Sequence, residues 1–98
     1  MLQRKKIPAG TDLAKVFPYS RAVRIGNIIE ISGTGAYDEQ GNLVGDNSVY
    51  EQARYIYAII EQTLSNAGAT LTDVAKVTVF TTDITRWEEI ARAHQMYF

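Results

Sequence analysis

The sequence contains no cysteine, and among its 98 residues there are only two prolines, one histidine and one tryptophan. Without cysteine the chain can form neither disulfide bonds nor thiolate metal sites, and it has no thiol nucleophile. A single histidine cannot build a multi-histidine metal centre within one chain, so we expect no metal and no metal cofactor. A chain without disulfides suits a reducing compartment, and we predict a cytoplasmic location.

The sequence also lacks a long hydrophobic run and a strong excess of either charge. No stretch approaches the roughly 18 consecutive apolar residues of a transmembrane helix, and no apolar signal core follows the charged N-terminus. Ten basic residues stand against eleven acidic ones, which gives a formal net charge of -1. This composition favours neither a membrane nor a nucleic-acid partner.

What remains is the composition of one small globular domain. Apolar residues make up 46% of the chain and charged residues 21%, a balance that argues against disorder. We find no repeat and no linker, and predict a single domain over residues 1–98. The chain stops inside a predicted helix on Tyr97 and Phe98, without a capping glycine or a polar tail. We therefore expect this domain to be incomplete at its C-terminus.

The first half of the chain carries β signals. Two β-compatible runs, residues 19–25 and 28–32, flank a Gly-Asn pair. This arrangement predicts a hairpin, because glycine accepts the positive φ that a two-residue turn requires. Another turn is predicted over residues 39–42. Residues 1–12 look like a polar lead-in.

The second half carries helix signals. Ser48 and Glu51 have the spacing of a capping box, and apolar residues then recur at helical spacing until Gly68, which favours a left-handed stop. These signals predict a helix over residues 48–67. A second capping box, at residues 85–88, predicts the start of a second helix.

A β-branched run and the second helix complete the predicted elements. Period-two alternation over residues 75–81 predicts a strand with Ala75, Val77, Val79 and Thr81 on one face. The second helix is predicted to align Trp87, Ile90, Ala91, His94 and either Tyr97 or Phe98 on one face. The resulting order, β-β-β-α-β-α, predicts an α+β fold with two helices on one face of a sheet.

Several short segments stand in a distinctive order and spacing. They are Pro18-Tyr19-Ser20, Gly26-Asn27-Ile28-Ile29, Ser32-Gly33, Gln52-Ala53-Arg54, residues 64–69 and residues 73–83. In this arrangement the sequence resembles the Rid family of reactive-intermediate deaminases, also called the endoribonuclease L-PSP family. The resemblance covers the chain from about residue 18 to its end.

The resemblance implies a chorismate-mutase-like α+β fold with a mixed sheet, assembled as a homotrimer with ligand clefts between subunits. Family chains continue further and add two strands that this sequence lacks, one of them beside the strand of Val77 and Val79. The implied activity is hydrolysis of small reactive imines and enamines, such as 2-iminobutanoate, to a 2-oxo acid and ammonia. The alternative is a non-catalytic trimer that binds a small metabolite in the same clefts.

Three residues match the family's ligand positions. Tyr19 matches its cleft tyrosine, and Ser32 with Gly33 match the small pair that approaches the ligand, which we expect to be a small anionic metabolite. Ala91 stands where the family deaminases carry an asparagine, and a methyl group cannot form a hydrogen bond. The family's substrate-gripping arginine and water-handling glutamate belong to the segment that this sequence lacks, so no catalytic residue is assigned.

Four further side chains are open to more than one interpretation. By alternation Glu30 shares a face with Ser32, where it is either a substitute acid–base group or a carboxylate on a solvated or intersubunit face. Arg21 and Arg24 lie on opposite strand faces, so at most one of them can replace the missing arginine in a given cleft; otherwise both are surface charges. His94 is either a packed or interface histidine or a proton carrier.

Overall fold

A computed structural model of the protein describes residues 3–98, and within them a three-stranded sheet and three α-helices form an α+β fold. The strands are β1 (Arg4–Pro8), β2 (Ser20–Ile25) and β3 (Ile28–Ile31). The helices are α1 (Leu13–Val16), α2 (Val49–Asn66) and α3 (Trp87–Tyr97), with 3-10 turns at Leu71–Asp73 and Ile84–Arg86. None of these helices is both long enough and apolar enough to cross a membrane. The predicted α+β class is confirmed.

The sheet has the order β1-β2-β3, and both strand pairs are antiparallel. Gly26 takes a φ of 58° in the turn between β2 and β3, which confirms the predicted hairpin. The prediction of a polar lead-in over residues 1–12 is wrong for its described part, because residues 4–8 pair with β2. The short charged run resembles a loop in sequence, but an edge strand tolerates lysine and proline, and Ile7 is buried there.

The C-terminal end of α2 packs on one face of this sheet. Ile7, Ala22 and Ala67 form a buried cluster there. The Arg24 guanidinium donates to the Ala67 carbonyl at 2.6 Å, and the Lys5 ammonium donates to another carbonyl of the same turn at 2.9 Å. These cations satisfy carbonyls that a helix end leaves without partners. The sheet and α2 are therefore joined by both apolar and polar contacts.

The ends of α2 lie where the sequence predicts them. The Ser48 hydroxyl accepts a hydrogen bond from the Glu51 amide at 3.1 Å, and Gly68 takes a φ of 85°. Only half of the capping box forms, since the Ser48 amide donates to the Gly45 carbonyl. The helix over residues 48–67 is thereby confirmed to within one residue at each end.

The start of α3 differs from the prediction. The Asp83 carboxylate accepts from the Thr85 amide at 3.0 Å and caps the 3-10 turn that precedes α3. The hydrogen bond from the Thr85 hydroxyl, together with the one from the Thr85 amide, lowers the pKa of Asp83. The predicted capping box over residues 85–88 is wrong, because the first turn is 3-10 and α3 begins at Trp87.

α3 packs against α2 and carries the second half of the core. Ala53, Tyr57 and Ala93 form its buried cluster, and Val77 packs against that cluster from the segment between the helices. Two helices side by side on the sheet were predicted. In the described residues α3 packs against α2, and the C-terminal end of α2 packs against the sheet.

The predicted strand over residues 75–81 does not form. Within residues 3–98 its backbone makes no hydrogen bond to any other backbone group. The predicted alternation is nevertheless present, because Val77, Val79 and Thr81 line one groove beside α3 while Phe80 is 94% exposed. A strand needs a neighbour to pair with, and β propensity in the segment does not provide one.

The turn over residues 39–42 forms as predicted. The Asp38 carboxylate accepts from the amides of Gln40 at 3.0 Å and Asn42 at 2.9 Å, and these bonds lower its pKa. Tyr37 and Leu43 form a single β-bridge across this turn. The loop leads from the hairpin to the start of α2.

Candidate functional site

The sheet has a second face, turned away from α2, which we call the outer face. Ala22 points into the core, so alternation places Arg21 and Val23 on the outer face. Val23 pairs with Glu30, and the Ser32 amide donates to the Arg21 carbonyl at 2.9 Å. Glu30 and Ser32 therefore belong to the outer face as well. The hairpin thus brings three of the predicted site residues to one surface.

Tyr19, directly before β2, lies at the end of this face. Its hydroxyl is 2.9 Å from the Thr11 hydroxyl, and the Arg21 guanidinium carbon lies 5.7 Å from its ring centroid. Tyr19 also lines an open groove of about 610 Å³, a volume in the range of small-molecule sites. The other lining residues are Lys6, Pro8, Ala9, Gly10, Thr11, Asp12, Ala14, Lys15 and Ser20.

Ser32 and Gly33 leave room and an acceptor beside the outer face. The Ser32 hydroxyl donates to the Ser20 carbonyl at 2.7 Å, so the hydroxyl oxygen remains able to accept a hydrogen bond. A Cβ placed on Gly33 would meet no atom within 4 Å, and the φ of Gly33 is not positive. Nothing in the described residues therefore requires glycine at this position, and the space is open to a ligand or to another chain.

The two candidate arginines differ in what they contact. Arg24 lies on the face that meets α2, and its guanidinium donates to the carbonyls of Gly26 at 3.0 Å and Ala67 at 2.6 Å. Arg21 lies on the outer face, as alternation predicts. The arginine on the Tyr19 side is therefore Arg21, and Arg24 holds the sheet to α2. Glu30 is exposed and makes no side-chain hydrogen bond to residues 3–98.

Ala91 and His94 line a different groove, of about 420 Å³, between α3 and residues 77–81. The Nδ1 atom of His94 lies 3.3 Å from the Tyr57 hydroxyl, and the His94 ring stacks on Phe98 with centroids 4.6 Å apart. Burial raises the pKa of Tyr57. His94 is thus packed among aromatic rings, while the Ala91 methyl offers the groove no hydrogen bond.

The predicted site residues therefore form two groups within one chain. Tyr19 lines the first groove and Ala91 and His94 line the second, and no residue is shared between the two linings. Sequence reasoning missed Thr11 and Thr34, which contact the Tyr19 hydroxyl and the Arg21 guanidinium. Both lie in segments without periodicity, so no pattern marked them. In residues 3–98 no three His, Asp or Glu side chains are grouped so that they could hold a metal ion.

Comparison with known proteins places these features in a family context. The family model described as Endoribonuclease L-PSP matches residues 10–98. A RutC family protein of Pyrococcus abyssi is 32% identical over 81 residues, which cover 83% of this chain and 64% of the relative. The chain thus spans less than two thirds of the length of this curated relative.

Solved structures share the fold described above. A member of the YjgF/YER057c/UK114 family from Mycobacterium tuberculosis is 33% identical and superposes with a TM-score of 0.83, covering 98% of this chain and 75% of its own. RidA from an Antarctic Psychrobacter is 28% identical with a TM-score of 0.77, covering 99% and 74%. The chorismate-mutase-like fold that the resemblance implied is thereby confirmed.

Proposed function

Because the chain belongs to the endoribonuclease L-PSP family, also known as the Rid or YjgF family, we propose that it is a Rid-like hydrolase of small reactive imines and enamines such as 2-iminobutanoate. Water adds to the C=N carbon and ammonia leaves, so that an imine and water become a 2-oxo acid and ammonia. The observation that carries this proposal is that the outer face holds both Tyr19, which lines an open groove, and Ser32, whose hydroxyl donates to the carbonyl of Ser20, the residue after Tyr19.

Imine hydrolysis requires few catalytic groups from the protein. A protonated imine carbon is already electrophilic, so hydrolysis requires a held water, a proton acceptor and a grip on the substrate rather than a covalent nucleophile. The Ser32 hydroxyl donates its proton to the Ser20 carbonyl and can therefore accept from an iminium N–H or from the attacking water. Glu30, on the same face, is the nearest carboxylate along β3 for the proton transfer.

We further propose that the site is completed between subunits of a homotrimer. Within one chain the groove beside Tyr19 is open and Gly33 borders free space. Ile25 and Ile28, which continue the outer face, are large apolar side chains left exposed, and an exposed apolar patch favours contact with another protein surface. A neighbouring copy would supply the missing wall of this groove. Ala91 and His94, which line a different groove of their own chain, would border the Tyr19 groove only as residues of such a neighbouring copy.

A second candidate function is a non-catalytic trimer that binds a small metabolite in the same cleft. Ala91 favours it, because a methyl group cannot orient a water or a substrate as an amide would. Binding without turnover is the outcome that distinguishes this function from the first.

The proposal is tested by ammonia release from freshly generated 2-iminobutanoate, with Ser32→Ala and Glu30→Gln compared with the unmodified protein. Loss of the Ser32 hydroxyl should lower kcat/KM about tenfold, as expected for one hydrogen bond to a reacting group. Loss of an acid–base carboxylate should lower kcat about 100-fold or more. Ser65→Ala, an exposed hydroxyl on α2, is the matched control and should leave the rate unchanged.

Absence of ammonia release by the unmodified chain, together with saturable binding of the 2-oxo acid product, would favour the binding function. An unchanged rate in Glu30→Gln would exclude Glu30 as the acid–base group. An unchanged rate in Ser32→Ala as well would remove the outer face from the reaction.

A further inference from the structure

Arg21 is the most buried charged side chain among residues 3–98. It is only 9% exposed, although it lies on the outer face, which is turned away from α2. The ring of Tyr19, 5.7 Å from the guanidinium carbon, lies beside it. Arginine is almost never buried to this extent without a partner, because an unpaired charge loses its hydration.

The contacts of Arg21 do not replace that hydration. Its one side-chain hydrogen bond within the described residues runs to the Thr34 hydroxyl, at 3.5 Å. No carboxylate of residues 3–98 lies within 4.0 Å of it. The Tyr19 ring adds a cation–π contact at the long end of its range. The remaining nitrogens of this guanidinium make no hydrogen bond in the described chain, yet they are not sealed from solvent.

Two other partly buried arginines, Arg24 and Arg86, show what a satisfied guanidinium looks like in this molecule. Arg24 donates to two backbone carbonyls. Arg86 forms a two-pronged ion pair with Glu89, at 2.6 and 3.1 Å. Arg54 contacts Glu51 at 3.4 Å, while its buried Nε atom has no hydrogen-bond partner in the described residues. Arg21 is more buried than these three, and its one hydrogen bond in the described residues is a long one to a neutral hydroxyl, so its accessible nitrogens remain free to bind a carboxylate from outside the described chain.

We propose that Arg21 binds the carboxylate of the substrate in the site that Tyr19 and Ser32 form. The planar guanidinium matches a carboxylate with two parallel hydrogen bonds. A single carboxylate is favoured over a phosphate dianion because Glu30 lies diagonally across the strand pair, where it repels a second negative charge. The inference rests on the proposed function for its choice of ligand and names the class: small 2-imino or 2-oxo acids.

A site of this kind has a recognisable signature. An arginine that stabilises the fold destabilises it when removed, whereas an unpaired buried charge held for a ligand can be replaced by an apolar side chain at no cost to the free protein. Arg21→Met keeps an unbranched apolar stem and removes the charged guanidinium. We therefore expect Arg21→Met to be at least as stable as the unmodified protein without ligand, and to bind carboxylates poorly.

The experiment measures binding of 2-oxobutanoate, 2-butanone and inorganic phosphate by calorimetry, with unfolding in urea for each variant. We expect 2-oxobutanoate to bind the unmodified protein, and Arg21→Met to weaken this binding about 10- to 100-fold, as loss of a charge-assisted hydrogen-bond pair predicts. Arg21→Lys keeps the positive charge without the planar guanidinium, and its affinity for 2-oxobutanoate should lie between those of the unmodified protein and Arg21→Met. The affinity for neutral 2-butanone should be the same in the unmodified protein and in both Arg21 variants. Arg92→Gln removes an exposed arginine that stacks on Tyr50 at 4.5 Å and should bind as the unmodified protein does.

Several outcomes would overturn the assignment. They are no binding of 2-oxobutanoate by the unmodified protein, equal affinity for inorganic phosphate, or unchanged affinity in both Arg21 variants. A marked loss of stability in Arg21→Met with normal affinity in Arg21→Lys would make the arginine structural. Turnover of the imine in the same samples separates the two proposals. If Arg21→Met turns over the imine with an unchanged KM, the hydrolase function stands and the role of Arg21 is wrong. If the unmodified protein binds 2-oxobutanoate through Arg21 but releases no ammonia, the role of Arg21 stands and the hydrolase function is wrong.

Discussion

β2 and residues 75–81 are both short runs with β-branched residues, yet only one of them is a strand. β2 lies between β1 and β3 and forms backbone ladders with both. Residues 75–81 have no backbone partner in the described chain, although their side chains alternate as a strand's would. The comparison teaches that side-chain alternation and strand formation are separable. Alternation is a property of one segment, whereas the hydrogen bonds of a strand require a second segment beside it.

The two regions are also held in different ways. The sheet is joined to α2 through buried apolar residues and backbone carbonyls, and Ala22 is fully buried at 0% exposure. The start of α3 is held by exposed polar contacts, in which Arg86 joins Glu89 to the Asn47 carbonyl at 2.6 Å. Backbone ladders and apolar packing do not titrate near pH 4, whereas a carboxylate does. The two regions should therefore respond differently to substitution and to acid.

The largest difference is expected from proline. Val23→Pro removes a ladder hydrogen bond from the central strand and should lower the free energy of unfolding by about 3 kcal/mol or more. Val79→Pro removes no backbone bond and should cost less than about 1 kcal/mol. Urea unfolding followed by circular dichroism measures both. Equal losses would mean that residues 75–81 are paired in solution, by a second copy or by another chain.

A smaller difference is expected from side-chain volume. Ala22→Leu overpacks the cluster between the sheet and α2 and should cost about 1–3 kcal/mol. Ala75→Leu adds the same atoms to an exposed position and should change stability by about 0.5 kcal/mol or less. Thermal and urea unfolding of the two variants provide the comparison. A similar cost at both positions would indicate that residue 75 is covered in solution.

The smallest effect is expected from acid. The Arg86 guanidinium, with the Tyr50 amide, lowers the pKa of Glu89 below its unfolded value. The contact therefore stabilises the fold above the unfolded pKa, and the stabilisation is lost as the pH falls through the lower, folded pKa. Trp87, the sole tryptophan, reports on this region by fluorescence, and its signal should change before amide exchange in β2 does.

Glu89→Gln should remove that early fluorescence change. Glu88→Gln, a neighbouring charge without the Arg86 contact, should retain it. If, on acidification of the unmodified protein, the Trp87 fluorescence changes at the same pH at which the β2 amides lose protection from exchange, the two regions do not respond separately.

The predictions that succeeded depend on short stretches of chain. The Gly26 turn, the Ser48 cap and the Gly68 stop are each decided by a few adjacent residues, and the structure confirms all three. The predictions that failed concern pairing between distant segments. β1 has too little apolar signal to be recognised before β2 is placed beside it, and residues 75–81 have ample signal but no neighbour.

The candidate site divides in the same way. Alternation separated Arg21 from Arg24, and the family resemblance singled out Tyr19 and Ser32. Neither could indicate that Thr11 meets the Tyr19 hydroxyl, since that contact depends on how the loop before β2 returns to the sheet. The burial of Arg21 could not be predicted either, because an arginine in a strand is ordinarily solvated.

The sequence by itself determined the long helix α2, the hairpin, the family and the faces of the hairpin residues, because these follow from nearest neighbours and from the two periods of 3.6 and 2 residues. The tertiary structure decided which strands pair, which arginine is bound to carbonyls and which is left without a counter-charge. Those outcomes depend on the free energies of strand pairing and of desolvation. Both depend on which distant segments of the chain come into contact in the folded protein, which no local pattern specifies.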